Sequence, residues 1–389
     1  MKAFVFTDAS LSSRAGQFVW LSLDGENSKN AAVVKRLKVS AYPTLFVLDP
    51  TSERVAIRWL GGATLPQLGT LLESGRMAVK TGRSGVDAQL ALADSLYGVE
   101  DYAGGAKMYE AVLAAAPADW NQRDRVMDAY LNSLSSTDQH EKVVTLAKQR
   151  GAQVGRSTAG FSMATFGLGD ATALPKENPE RASLIADFEK QVLSMIRDPS
   201  IVLSADDRSG GYIELMDARD DAGDKEGKAK IAAEWSAFLD GEAAKAKTPE
   251  QRAVFDPHRL SAYIEIGHAE KAIPMLQQSE KDFPDDYNPP QRLAIAYNEL
   301  KRYDEGLAAS DRAMKKAYGP RKLRLYATRT DIYLGRGDST SARQTVGQAL
   351  QYAQALPEGQ RSDRAIASLQ KRLTDMGGPA APPVGASTK

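Results

Sequence analysis

The side chains that most often carry catalysis are sparse and scattered in this sequence. Its three histidines, His140, His258 and His268, have no second ligand four residues on, the spacing that sets two imidazoles on one helix face around a metal. None of the 389 residues is a cysteine, which excludes disulfides, thiolate zinc sites and thiol nucleophiles. The acidic run from Asp217 through Asp220 and Asp221 to Asp224 lacks the alternate spacing that aims oxygens at calcium, and reads as a solvated helix end. Gly167-Leu168-Gly169 is too short for a phosphate loop, and no serine stands in a nucleophile elbow. The chain as written therefore predicts no catalytic residue, no metal and no cofactor.

Composition narrows the partners. Fifty basic and fifty acidic residues give a formal charge of +0, so no overall field draws in nucleic acid or anionic lipid. With 42% hydrophobic and 26% charged residues the chain reads as globular, with two or three domains and no membrane span. Met1–Asp8 carries one basic residue and too short an apolar stretch for a secretory signal, which taken literally predicts a cytoplasmic protein.

The first 75 residues or so alternate between the periods of strand and helix. Phe18–Leu23 is a β-rich run ending at Asp24-Gly25, and Asn27 or Ser28 can cap a helix over 31–37. Strands follow at Thr44–Leu48 and near Val55–Leu60, and a helix from about Leu65 to Glu73. This order, with Val39-Ser40-Ala41-Tyr42-Pro43-Thr44 matching a V-x-x-Y/I-P-T strand start, resembles the second half of a thioredoxin-like domain. The resemblance implies a cis bond at Tyr42-Pro43 and a peptide-binding edge at Tyr42, Pro43 and Thr44; an ordinary strand-starting proline is the alternative. It also implies a missing central strand and a C-x-x-C motif ahead of Met1, so that Met1 is an internal methionine, or else a degenerate domain kept as a cap. Unpaired sheet edges would then favour self-association.

Past Arg83 the period is helical and the spacing repeats. Leu92, Ala93, Leu96, Asp101, Tyr102, Gly105, Tyr109, Val112 and Pro117 fall at the positions of a tetratricopeptide repeat, which this stretch resembles. Ala272, Gly306 and Ala342 share a register, as do Ser279, Ala313 and Ala349, at intervals of roughly 34 to 36 residues. Tyr263, Tyr297 and Tyr333 share a helix face and read as packing. Hairpins are also expected over 126–147 and 212–239, and capping side chains at Asn178, Asp256 and Asn288, each before a proline.

In such repeats the loops into first helices border an inner groove, so Tyr287, Arg292, Arg321 and Arg324 are candidate contacts for an acidic or extended peptide; helix capping and surface ion pairs are the alternative. A chaperone carboxylate clamp is not expected, because Gln291, Arg292 and Ile295 replace its lysine and asparagine set. The predicted fold is mainly α, a tetratricopeptide-like helical hairpin array with a small, incomplete α/β thioredoxin-like N-terminal module. The expected divisions are 1–80, the partial module; 81–150, first hairpins; 151–179, a long connection; 180–376, the C-terminal array; and 377–389, a disordered tail. The expected function is a protein-interaction scaffold with protein or peptide partners. The alternative is a thiol-disulfide oxidoreductase with its C-x-x-C upstream of the given start, in which case the protein would be periplasmic or otherwise exported.

Overall fold

A computed structural model describes residues 1–39, 42–81 and 85–377. In chain order its elements are α1 (Ala31–Arg36), β1 (Thr44–Leu48), β2 (Val55–Leu60), α2 (Leu65–Thr81), α3 (Gly85–Tyr97), α4 (Tyr102–Ala115), α5 (Arg123–Ser135), α6 (His140–Val154) and α7 (Thr158–Ala173). There follow α8 (Arg181–Ile196), α9 (Ala205–Asp221), α10 (Lys225–Ala244), α11 (Pro249–Ala253), α12 (Asp256–Glu265), α13 (Ala272–Asp282) and α14 (Asn288–Glu299). The series closes with α15 (Tyr303–Lys316), α16 (Lys322–Gly335), α17 (Ser339–Ala355) and α18 (Asp363–Asp375). Among the described residues the fold is mainly α, an array of helical hairpins with one small two-stranded sheet. Among the described residues no helix is long and apolar enough to cross a membrane.

The chain forms two compact units and does not do so in simple sequence order. Met1–Ala15 and Lys38–Ala237 make the first, and Gly16–Leu37 and Phe238–Lys389 make the second.

In the first unit β1 and β2 pair antiparallel, Thr44 opposite Leu60 and Phe46 opposite Arg58, with an irregularity between Val47 and Leu48. Helix α2 packs on both strands. It opens with a reciprocal cap: the Thr64 N–H donates to Gln67 Oε1 at 2.8 Å and the Gln67 N–H to Thr64 Oγ1 at 3.4 Å. Helices α3 to α6 close over Leu90, Ala93, Tyr109, Val126, Leu131 and Val143, all almost wholly buried. In the second unit Leu276, Ala294, Ala296, Ala309 and Ile332 are fully buried between α12 and α16, where small residues let helices approach closely.

One turn recurs in both units. A residue in the left-handed region ends the first helix of a hairpin: Glu100 (φ 62°), Asp138 (φ 57°), Gly223 (φ 68°), Gly267 (φ 71°), Lys301 (φ 57°) and Gly337 (φ 85°). The next N–H then reaches back five residues, as in Asp101 to Leu96 at 3.0 Å, His268 to Tyr263 at 2.7 Å, Arg302 to Tyr297 at 2.8 Å and Asp338 to Tyr333 at 2.8 Å. This bond satisfies carbonyls that the helix end leaves unpaired. Tyr263, Tyr297 and Tyr333 thus share a backbone role as well as a face.

Several expectations need correction. Phe18–Leu23 forms no regular element and joins no sheet among the described residues, with Val19 88% and Leu21 77% exposed; a strand exists only with a neighbour to take its backbone bonds. The stretch 151–179 is not a connection: it contains α7. Its Gly and Ala residues, which suggest a linker, are packing residues, with Ala164 and Ala171 buried and Gly167 lying so close to the Phe188 ring that a Cβ would collide with it. Asp256 and Asn288 are the first residues of α12 and α14 rather than their caps. The Asp256 carboxylate turns inward to accept from Ser279 Oγ at 2.6 Å. The helices expected at 31–37 and over 126–147 and 212–239 are present, and the Tyr42–Pro43 bond is cis. Ser40 and Ala41 of the strand-start motif, and 378–389 of the expected tail, lie outside the described residues.

Candidate peptide-binding site

The loop Ala317-Tyr318-Gly319-Pro320-Arg321 joins α15 to α16 in the second unit. Helix α16 begins at Lys322 with Arg321 at its cap position; the Lys322, Leu323 and Arg324 N–H groups bond back to the Gly319, Pro320 and Arg321 carbonyls, and the Arg321 N–H precedes them at the positive end of the helix dipole. Glu26, only 9% exposed, fills that place. Its Oε2 accepts the Arg321 N–H at 2.8 Å, and its Oε1 lies 3.4 Å from Arg321 Nε.

The rest of Asp24–Ser28 is held point by point. Tyr318 Oη donates to Asp24 Oδ2 at 2.5 Å, and that bond is the main cause of a Tyr318 hydroxyl pushed up to about 12. Gln360, from the turn between α17 and α18, donates Nε2 to the Gly25 carbonyl at 2.7 Å. Lys35 and Glu358 pair at 2.6 Å, both well exposed. Two glycines make the approach possible: a Cβ on Gly319, at φ +65°, would collide with the Glu26 carbonyl, and one on Gly359 with the Ala31 carbonyl. Tyr352 fixes the loop from beneath, donating to the Gly319 carbonyl at 3.2 Å with its ring against Tyr326.

The segment is also organised internally. Asp24 Oδ1 accepts the Glu26 N–H at 2.9 Å, the Asp24 carbonyl accepts from Asn30 Nδ2 at 2.8 Å, and Asn27 caps the short helical turn Ser28–Asn30. Asp24 therefore offers one oxygen to its own chain and the other to Tyr318. A cleft of about 330 Å³ remains beside Asn27 and Ser28, bordered by Tyr352, Leu356, Pro357 and Gln360.

Of the residues singled out in the sequence, Arg321 is in this site. Tyr287 packs against Ala313, Ala317 and Leu325. Arg292 sits between Asp256 and Asp286 with its guanidinium pKa lowered by burial, and Arg324 is exposed. Tyr42, Pro43 and Thr44 lie in the first unit. There the Pro43 carbonyl accepts the Gly61 N–H at 2.8 Å, Thr44 pairs with Leu60, and Tyr42 is 43% exposed. Sequence reasoning missed Asp24, Glu26, Gly319, Tyr352 and Gln360. The signal for Gly319 was its place between an aromatic residue and a proline; nothing local pointed to Gln360, which is 335 residues from Gly25.

The first unit holds two polar clusters. Asp94, 6% exposed, accepts from Tyr109 Oη at 2.8 Å and from Arg125 at 3.1 and 2.5 Å, and Arg125 also donates to the Arg58 carbonyl at 3.1 Å. Along α5, α6 and α7, Asp128 accepts from Ser162 Oγ at 2.6 Å, and Asp170 meets His140 Nδ1 at 2.7 Å. Burial, aided by the charges of Asp124 and Asp207, raises the Asp128 carboxyl to about 7. Burial, aided by Asp217 and Asp170, raises Glu214 to about 7 as well. Among the described residues no group of three or more His, Asp or Glu side chains is arranged to hold a metal ion.

No protein-family model matches the chain, and no curated protein matches it. Among solved structures it is similar to a thermophilic TPR protein of Thermus thermophilus, at 14% identity and a TM-score of 0.26, covering 75% of this chain and 98% of that one. It is also similar to the APC/C hetero-tetramer Cut9-Hcn1, at 13% identity and a TM-score of 0.28, covering 81% of this chain and 60% of that one.

Proposed function

We propose that this protein is a non-catalytic scaffold that recruits polypeptides through its helical-hairpin array, the loop face of its C-terminal hairpins serving as a receptor for acidic turn segments. The observation that carries the reading is the hold on Asp24–Ser28: two carboxylates and one carbonyl, each met by a separate group, Tyr318, Arg321 and Gln360. An acidic turn read through one carbonyl and the carboxylates on either side of it needs no more. The strand–strand–helix order of residues 44–81 supports a partial thioredoxin-like module within the first unit. Without cysteine it has no group to exchange a disulfide, so its role here is structural.

The test is selection of ligands from a random-peptide display library on the immobilised chain, with Arg321→Glu plus Tyr318→Phe as the paired control. Enrichment of acidic sequences by the wild type and their loss with the control is the expected result. Equal enrichment by both would place recognition elsewhere, and no enrichment by either would reject the scaffold.

A further inference from the structure

The contact between Asp24–Ser28 and the α15–α16 loop has the chemistry of a ligand in a receptor. Here Glu26 is buried on the N–H of a helix cap residue, Asp24 meets a tyrosine hydroxyl, and a main-chain carbonyl is read by a buried glutamine. Such groups are discriminating: a site built to bond a carboxylate rejects a segment lacking it, because its donors are then left unpaired. Gly319 and Gly359 clear space for this one path of backbone. The segment also fills its site incompletely, since Ser28 is small and the cleft of about 330 Å³ beside it stays open against Tyr352, Leu356 and Pro357. Nor does Gln360 use all its capacity: its buried Oε1 has no hydrogen-bond partner among the described residues.

We propose that Asp24–Ser28 is an internal competitor, and that the same site takes a partner's turn-forming segment of the pattern acidic, small, acidic, any, large. This rests on the scaffold reading and names its ligand. The two carboxylates take the places of Asp24 and Glu26, a small residue passes under Gln360 as Gly25 does, and a large apolar side chain at the Ser28 place enters the open cleft. A covalently tethered competitor holds the site at an effective concentration in the millimolar range, so a free segment competes only by making the contact that Ser28 cannot. The site is thereby closed to weak acidic sequences and open to those with the extra anchor.

The test uses the full chain and labelled peptides read by fluorescence anisotropy. The probes are the native sequence SLDGENSKN, its variant SLDGENLKN, and the neutralised SLNGQNSKN. Against a protein carrying Asp24→Asn and Glu26→Gln, the native peptide is expected to bind at least tenfold more tightly than to wild type. SLDGENLKN should bind more tightly again, and SLNGQNSKN not at all. Equal affinity of the native peptide for wild type and variant, or binding of SLNGQNSKN equal to the native peptide, overturns the proposal. Should the double variant fail to fold, hydrogen exchange on the wild type decides. Millimolar SLDGENLKN should speed exchange of the Glu26–Asn30 amides at least threefold, and unchanged exchange overturns the proposal. Peptide selection by the wild type that persists while these peptides fail rejects this site and leaves the scaffold standing.

Discussion

The Arg321 N–H donates to Glu26 Oε2 across 2.8 Å of space and 295 residues of chain. A helix start in the C-terminal array is thus capped by a carboxylate from near the front of the sequence. Caps and hydrogen bonds to charged groups each contribute about 1–2 kcal/mol. Glu26→Gln, which keeps size and removes charge, should therefore speed hydrogen exchange of the Arg321 amide by about tenfold. Site-resolved exchange is the measurement, and an unchanged rate would show that the cap contributes nothing.

Gly319→Ala tests the close approach. The position combines φ +65° with a Cβ that would strike the Glu26 carbonyl, so backbone strain of about 1 kcal/mol adds to displacement of the segment. Thermal unfolding should begin several degrees lower, and limited proteolysis should cut within 16–30 faster than in wild type. Gly347→Ala, in open space on α17, is the control and should be neutral or slightly stabilising.

The pH dependence of the first unit follows from Asp128 and Glu214. Both carboxyls titrate near 7 in the fold and near 4 when unfolded, so between those values the folded state holds more protons than the unfolded one. Stability from this source is fully present below about pH 4 and is lost as pH rises through 7. Unfolding free energies from urea titrations should fall from pH 5 to pH 8 by an amount on the order of 2 kcal/mol, with the midpoints falling in step, and Asp128→Asn with Glu214→Gln should flatten the dependence. A midpoint that rises over this range would contradict the assignment.

Asp94 and Arg125 form a nearly buried pair, with side-chain exposures of 8% and 15%. Asp94→Leu alone strands the guanidinium and should cost about 3–5 kcal/mol. Asp94→Leu with Arg125→Met should cost clearly less than the sum of the single changes. A double-mutant cycle in urea checks this, and strict additivity would mean the two do not couple.

The repeat was readable from the sequence because it is local. Ala272, Gly306 and Ala342 mark where paired helices touch, and their register survives into structure because each hairpin ends in the same turn. The stretch 151–179 was misread for a physical reason: glycine and alanine serve both flexible linkers and tight helix contacts, and only the presence of Phe188 across from Gly167 distinguishes them. Phe18–Leu23 has strand propensity, but pairing depends on a neighbour that propensity does not contain. For the candidate site, Arg321 was legible as a cation on a repeat loop. Its counter-charge was not, since Asp24-Gly25-Glu26 looks like any acidic turn until the far end of the chain is brought beside it.

The crossing of the chain between its two units sets an order of events at birth. Residues 16–37 are made early, yet the donors for Glu26 are polymerised 295 residues later, a wait of roughly 15–60 s at ribosomal speeds of about 5–20 residues per second. Throughout that interval the nascent polypeptide trails an acidic, aromatic-flanked strip with no berth of its own. The second unit can complete itself only after the turn carrying Gln360 has been made.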